Sequence, residues 1–367
     1  MNSRTVRYVV LTLLWVSVAA YMLYAGATAR RERKARKVAR LAIEVVDSTA
    51  HGHLVSAAKV RRWIAAEGIK TVGTPVSEVD LTGIEQLIAR NGFVDRVAAY
   101  LSYEGTLHVK ISQREPLLRL LTDGMNAYVT SEGYVFAAPQ ASSLYVPVVT
   151  GSYRPPFADK YTGDVRRYVD ERLREIDERI ADLEREKYPL YTAELENDRN
   201  TAALRRMRIK RQWWRLESSE AFDRRVEELR EKKASLRRAY RYKGQEIRRQ
   251  IEHLGEEQEA ERRKQKKLEK SYEDFMKLLT FVETVEDDDF WRSEVVQIAA
   301  YTTSSGALEV ELVPRSGRFT IRFGRLERVE EKFDKLLRFY RRGLSTLGWD
   351  TYRSIDVRFA GQVVCRR

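Results

Sequence analysis

Residues 161–280 cannot build an ordinary globular core. About half of their side chains are charged, and glycine and proline nearly vanish. Inside the block, Val169, Leu173, Ile176, Ile180 and Leu183 step by 4, 3, 4 and 3 residues. The same step recurs in Phe222, Val226 and Leu229, in Ile247, Ile251 and Leu254, and in Leu268, Tyr272, Phe275, Leu279 and Val282. Apolar residues at that spacing form one stripe on a helix, the seam of a coiled coil. Pro189 is expected to break the first segment, and Ser218-Ser219 sits where a hairpin turn belongs. Two readings follow. One is an antiparallel helical hairpin projecting from a globular domain; the other is a single long, solvated helix with little partner contact.

The block also carries part of an unusual charge. The chain of 367 residues has a formal net charge of +13, which as one number points to nucleic acid or an anionic surface. It is unevenly spread. Residues 1–40 hold +8 and residues 161–280 hold +5, whereas 41–160 (−1) and 281–367 (+1) are close to neutral.

The N-terminal share frames an uncharged run of 22 residues from Tyr8 to Ala29. At ~1.5 Å per residue this reaches about 33 Å, enough for a hydrocarbon core of about 30 Å. A cleaved signal peptide is the rival, because Arg4 and Arg7 precede the run and Ala25-Gly26-Ala27 or Ala27-Thr28-Ala29 fits a cleavage site. The length of the run, with Trp15, Tyr21 and Tyr24 suited to the interface, favours an uncleaved anchor. Arg30, Arg31, Arg33, Lys34, Arg36, Lys37 and Arg40 follow the run. Read literally, the positive-inside rule therefore puts the C-terminal bulk in the cytoplasm.

The remaining segments read as mixed strands and helices. Ile43–Val46 alternates like a strand, and Ser56 caps a helix over 57–67 that Gly68 stops. Leu81, Ile84, Leu87 and Ile88 share one face of a second helix ending at Asn91-Gly92. A hairpin of 97–103 and 107–113 turns at Glu104-Gly105. Pro116 marks an exit, followed by short strands over 117–121, 127–129 and 134–137. After the charged block, strands are expected over 295–302, 308–313 and 319–323, then an amphipathic helix over 326–340 and a closing strand over 355–365.

Little in the chain speaks for chemistry. One cysteine excludes a disulfide scaffold, a thiolate zinc site and an iron–sulfur cluster. His51-Gly52-His53 lacks a third ligand at motif spacing, and Asp287-Asp288-Asp289 lacks the glycine and closing glutamate of a calcium loop. Cys365 has no activating neighbour in sequence. No phosphate loop or hydrolase signature occurs. The expectation is no catalytic residue, no cofactor and no metal, so not an enzyme. Arg205, Arg206, Arg208, Lys210, Arg211, Trp213, Trp214 and Arg215 form a basic, aromatic patch. Such a patch suits nucleic acid or an anionic membrane surface; the blander reading is a solvated arm with its tryptophans in a seam.

Several motifs in order resemble the bacterial cell-division FtsQ (DivIB) family. Leu54-Val55-Ser56 with Lys59, Val60, Trp63 and Ile64, and then Asn91-Gly92-Phe93-Val94, are similar to the helix-start and helix-end patterns of that family's POTRA-like unit. The stretch from Leu107 to Pro116 resembles its domain-exit strand. Residues 128–136 and 147–151 resemble the start of its β domain, and Leu308–Arg315, Trp349-Asp350 and 355–359 resemble its end.

The resemblance implies an α+β chain. Its expected parts are a cytoplasmic tail (1–7), a transmembrane helix (8–29), a basic linker (30–42) and a POTRA-like domain (43–115). A β domain in two parts (116–155 and 275–367) follows; the coiled-coil insertion (161–274) between them departs from the family pattern, which has only a short loop there, and its role is not covered by the resemblance. The resemblance further implies a non-enzymatic inner-membrane scaffold of the divisome, with its bulk on the periplasmic side against the vote of the flanking charges. The partners implied are FtsB-like and FtsL-like subunits and other divisome proteins, with no nucleic acid. Carried over by position, the partner-binding β edge is Ile355, Val357, Arg358, Phe359, Gly361, Val363 and Val364. A POTRA-bearing component of envelope secretion or assembly is the competing reading, and it would need repeated POTRA units or a C-terminal barrel.

Overall fold

The computed structural model describes residues 14–26, 28, 36–46, 54–122, 124–139, 143–211, 218–349 and 351–367. Residues 14–26 are helical, and their large apolar side chains, Trp15 and Leu23 among them, are exposed. Among the described residues no helix is long and apolar enough to cross a membrane. The anchor expected over 8–29 lies partly outside those residues, as do His51, His53, Trp213, Trp214 and Arg215.

A first unit is built from β1 (Arg40–Val46), α1 (Ala57–Ala66), α2 (Leu81–Ala89), β2 (Val94–Leu101) and β3 (Thr106–Gln113). The Ser56 hydroxyl accepts the Lys59 N–H at 3.3 Å, and the Asp80 carboxylate accepts the Gly83 N–H at 2.8 Å. Each satisfies an orphan donor of a helix start. Its sheet runs β1-β3-β2, with β1 parallel and β2 antiparallel to β3. Val60, Ile64, Ile84, Ile88, Leu107, Val109 and Ile111 are buried between helices and sheet. The unit starts earlier than the sequence implies, because β1 begins at Arg40 inside the expected linker. The reason is Val38, which is buried and donates its N–H to Thr74 at 2.9 Å.

The second unit contains β4 (Pro116–Thr122), β5 (Met125–Thr130), β6 (Tyr134–Ala137), β7 (Val148–Thr150) and β8 (Gly163–Asp164). Then come α3 (Val165–Arg206), α4 (Ser219–Asp287), α5 (Asp289–Glu294), β9 (Val295–Thr302), β10 (Leu308–Pro314) and β11 (Thr320–Gly324). It closes with α6 (Val329–Phe339), β12 (Ser354–Asp356) and β13 (Val364–Arg366). All its strands form one ten-stranded sheet of order β13-β12-β11-β10-β9-β7-β4-β5-β6-β8. β7 pairs in parallel with both β4 and β9 (Val149 opposite Leu120 and Ile298), so the halves before and after the charged block share one ladder. Leu54, Tyr128, Phe136 and Leu144 make a small buried cluster at the junction of the two units. There the Gln113 side-chain oxygen accepts the N–H groups of Leu54 and Val55.

The charged block is an antiparallel hairpin of α3 and α4. Gln265 bonds Asp177 at 3.0 Å, Lys187 bonds Gln258 at 2.6 Å, Arg248 bonds Glu194 at 2.9 Å, and Asn197 donates to the Tyr240 carbonyl at 3.1 Å. One number rises as the other falls, which excludes the single-helix reading. Ser218 caps α4 by accepting the Ala221 N–H. Pro189 does not break α3, contrary to the expectation. A proline removes one N–H and strains one turn, and α4 supports α3 on both sides of it through buried Leu183 and Lys187 before and Asn197 and Leu204 after. Nor does the block stop at residue 274. α4 continues to Asp287, and its Phe275, Leu278, Leu279, Phe281, Val282 and Val285 are buried in the core of the sheet domain, together with Val165 and Val169 of α3.

Candidate partner-binding edge

β12 lies parallel to β11, with Ile321 opposite Ile355, and β13 returns antiparallel to β12, with Ile355 opposite Cys365. The sheet order ends at β13. A terminal strand leaves one row of backbone donors and acceptors without a ladder partner.

The expected closing strand over 355–365, and with it a continuous edge from Ile355 to Val364, is corrected here: the segment is a hairpin. Ile355 and Val357 are wholly buried in the sheet core. Residues 357–363 are loop, and Gly361 holds φ +70, a conformation that favours glycine. Only Val364 of the seven positions lies in the edge strand, where it is 37% exposed. Phe359 is 46% exposed at the loop, beneath the Arg358 guanidinium at 5.9 Å. Val363 packs partly against the core. The structure thus brings Phe359, Gly361, Val363 and Val364 to one rim and sends Ile355 and Val357 inward.

Arg358 shapes the turn. Its Nη2 lies 2.7 Å from Asp356 Oδ2, its Nε 3.0 Å from Oδ1, and its backbone N–H donates to Oδ1 at 3.1 Å. Burial pushes the Asp356 carboxyl up, but the hydrogen bonds and charge of Arg358 outweigh it and hold the group below its ordinary range. Arg358 is raised in turn, first by its hydrogen bond to Asp356.

A second clamp comes from α6, and the sequence reading missed it. The Lys335 ammonium donates to the Val357 carbonyl at 2.9 Å and to that of Phe359. Lys332 donates to the carbonyls of Phe323 at 3.1 Å and Arg325 at 2.6 Å. Burial lowers the pKa of both lysines. The available signal was the amphipathic stripe of α6, with lysines flanking buried Phe333 and Leu336.

The other sequence-selected groups lie elsewhere. Asp288 caps α5 through the N–H groups of Phe290 and Trp291. Cys365 is half-buried in β13, and burial raises its thiol. Arg205, Arg206, Arg208, Lys210 and Arg211 are exposed at the far end of the hairpin. Among the described residues no three His, Cys, Asp or Glu side chains group to hold a metal.

Residues 36–112 match the POTRA-like domain model, and residues 260–366 match the model described as FtsQ/DivIB, C-terminal related. The two matches support assignment to the FtsQ/DivIB family. No curated protein matches the chain. The FtsQ/DivIB match begins within α4 and ends in β13, so it takes in the buried end of that helix together with β9 to β13. FtsQ/DivIB proteins are non-enzymatic division scaffolds, and the matches support a divisome-type role in cell division.

Proposed function

We propose that the chain is a single-pass inner-membrane scaffold of the bacterial divisome that captures FtsB-like and FtsL-like membrane subunits on the β13 edge. The observation that carries this reading is the open edge: β13 ends the sheet order inside the segment that matches FtsQ/DivIB, C-terminal related. An extended partner segment adds there as one more strand. Ladder hydrogen bonds supply affinity, and alternate side chains supply specificity. Phe359, Gly361, Val363 and Val364 meet the partner, Arg358 holds the turn that presents them, and Ile355 and Val357 anchor the hairpin from beneath.

In this reading residues 8–29 form the anchor, the bulk lies on the periplasmic side, and the POTRA-like unit docks other divisome proteins. The basic flank after residue 29 votes for the opposite topology, but long translocated domains override such charge. A C-terminal reporter active only outside the cytoplasm is expected to light up, and a silent fusion overturns the orientation.

Partner capture is tested by co-purification of an FtsB-like subunit with full-length chain carrying Val364→Pro or Phe359→Lys. Proline removes a ladder donor, and a lysine at the rim replaces apolar contact with charge. Each variant is expected to weaken capture at least tenfold with helicity unchanged. Undiminished capture by both overturns the edge assignment.

A further inference from the structure

α3 carries apolar side chains on two faces. Leu183, Lys187, Asn197 and Leu204 are buried in the seam with α4. Away from that seam Tyr188 is 74% exposed, Leu195 61% and, between them, Tyr191 41%, with Ala181 and Ala202 exposed beyond them. Ala181, Tyr188, Leu195 and Ala202 are spaced by seven residues, the repeat of one coiled-coil position. A lone exposed tyrosine needs no explanation, but a second heptad stripe on a helix that already has a partner reads as a contact surface.

The charge of α3 changes sign along this stripe. Residues 165–198 hold 11 acidic and 7 basic side chains, whereas 199–206 hold three basic and no acidic one. When the helix is laid antiparallel on a copy of itself about a point between Tyr191 and Thr192, Tyr188 falls opposite Leu195 and Ala181 opposite Ala202. Glu184 then meets Arg199, Arg185 meets Asp198, Glu178 meets Arg205 and Asp177 meets Arg206, and all eight are exposed. From 177 to 206 no like charges meet in this register. A shift of one residue sets Glu186 opposite Glu196 or, in the other direction, Arg185 opposite Arg199. Within one chain these charges stay largely open. Asp177 and Glu184 take neutral amide partners from α4, Gln265 at 3.0 Å and Gln258 at 3.1 Å, and Arg185 reaches Asp182 of its own helix at 2.8 Å. Among the described residues Glu178, Asp198, Arg199, Arg205 and Arg206 join no ion pair.

We propose that α3 packs antiparallel against α3 of a second copy of this chain, about a two-fold axis between Tyr191 and Thr192. Tyr188, Tyr191 and Leu195 of the two copies bury one another at the centre, and the flanking opposite charges fix direction and register. A stripe that is its own complement fits a second copy better than an unrelated helix, because a two-fold contact pairs i with j and j with i. A different partner would require no such symmetry in this chain. The axis lies about 40 Å along α3 from Val165, where the helix leaves the sheet core, at ~1.5 Å per residue. The two sheet domains therefore stand clear of each other. The proposal goes beyond partner capture at β13 and does not depend on it.

The test uses full-length chain in a mild nonionic detergent. Sedimentation is expected to give a dimer at micromolar concentration, with association at least tenfold weaker at about 500 mM salt than at about 50 mM, because surface charge is screened. Tyr188→Glu with Leu195→Glu is expected to give a monomer with helicity unchanged. Glu178→Lys with Glu184→Lys is expected to weaken association at least tenfold, and adding Arg199→Glu and Arg205→Glu is expected to restore it. Direction is read by disulfide cross-linking in a Cys365→Ser background. Chains carrying Ala181→Cys mixed with chains carrying Ala202→Cys are expected to cross-link. Ala202→Cys alone is expected not to, since that residue stands about 30 Å from its own copy at ~1.5 Å per residue. A monomeric wild-type chain overturns the proposal, whether or not the stripe then captures another subunit. So do a dimer untouched by Tyr188→Glu with Leu195→Glu, failure of the swapped charges to rescue, and cross-linking of Ala202→Cys alone.

Discussion

Asp356 and Arg358 stand two residues apart at the start of the turn that presents the edge, and their contacts are local to it. The carboxylate accepts four hydrogen bonds from one residue, three from the guanidinium and one from the backbone. Arg358→Ala is therefore expected to cost about 1–2 kcal/mol in chemical denaturation, since it leaves a buried acceptor underbonded. The pH dependence has a definite sign. With its folded pKa depressed, Asp356 contributes stability that is present above the ordinary carboxylate value of about 4 and is lost as pH falls through the folded value. Asp356→Asn is expected to remove that component, so wild type and variant converge in acid. Parallel pH–stability curves would contradict the assignment. Gly324 shares the site. It holds φ +73, and a Cβ there would sit 2.6 Å from Arg358 Cγ and Cδ. Gly324→Ala is expected to destabilise by about 1 kcal/mol or more in the same assay, through left-handed strain and displacement of Arg358.

At the scale of elements, periodicity told true where a helix had one apolar face. The 4-3 steps located the seams of α3 and α4, and the alternation of 107–113 and 308–313 located β3 and β10. Two failures have physical causes. Pro189 reads as a helix stop, but a partner helix along the whole of α3 outweighs one lost hydrogen bond. Pro189→Ala is accordingly expected to raise the stability of the hairpin, by up to about 3 kcal/mol on intrinsic propensity; slower amide exchange around residues 185–193 would report it, and unchanged exchange would refute it. Buried Lys187, Asn197 and Gln258 were invisible because polar residues carry no seam signal. Lys187 and Gln258 satisfy one another, and the Asn197 amide nitrogen donates to the Tyr240 carbonyl beside Gly244, while the Asn197 side-chain oxygen has no hydrogen-bond partner among the described residues. The turn 357–363 was read as strand because Val357, Phe359, Val363 and Cys365 alternate in sequence. Gly361 at positive φ and the Asp356–Arg358 clamp bend that stretch back on itself instead.

The whole molecule depends on pairings between distant parts of the chain. β7 meets β9 across more than a hundred intervening residues, and no periodicity could reveal that two half-domains complete one sheet. The root of α4 makes the same point, since it supplies six buried side chains between the halves. Deletion of residues 175–263, with a short Gly-Ser joint, is expected to leave a cooperatively folding chain. Extending the deletion to Asp287 is expected to abolish folding, because each lost large core side chain costs about 2–5 kcal/mol. Equal thermal stability of the two deletions would contradict a shared core.

Strand addition at β13 is the central functional claim, and amide hydrogen exchange on the full chain with and without an FtsB-like partner tests it most directly. Partner binding is expected to slow exchange across Val364–Arg366 and the 357–363 loop by at least tenfold, while β2 of the POTRA-like unit keeps its free rate. Unchanged exchange at β13 in a complex that has demonstrably formed would contradict the account.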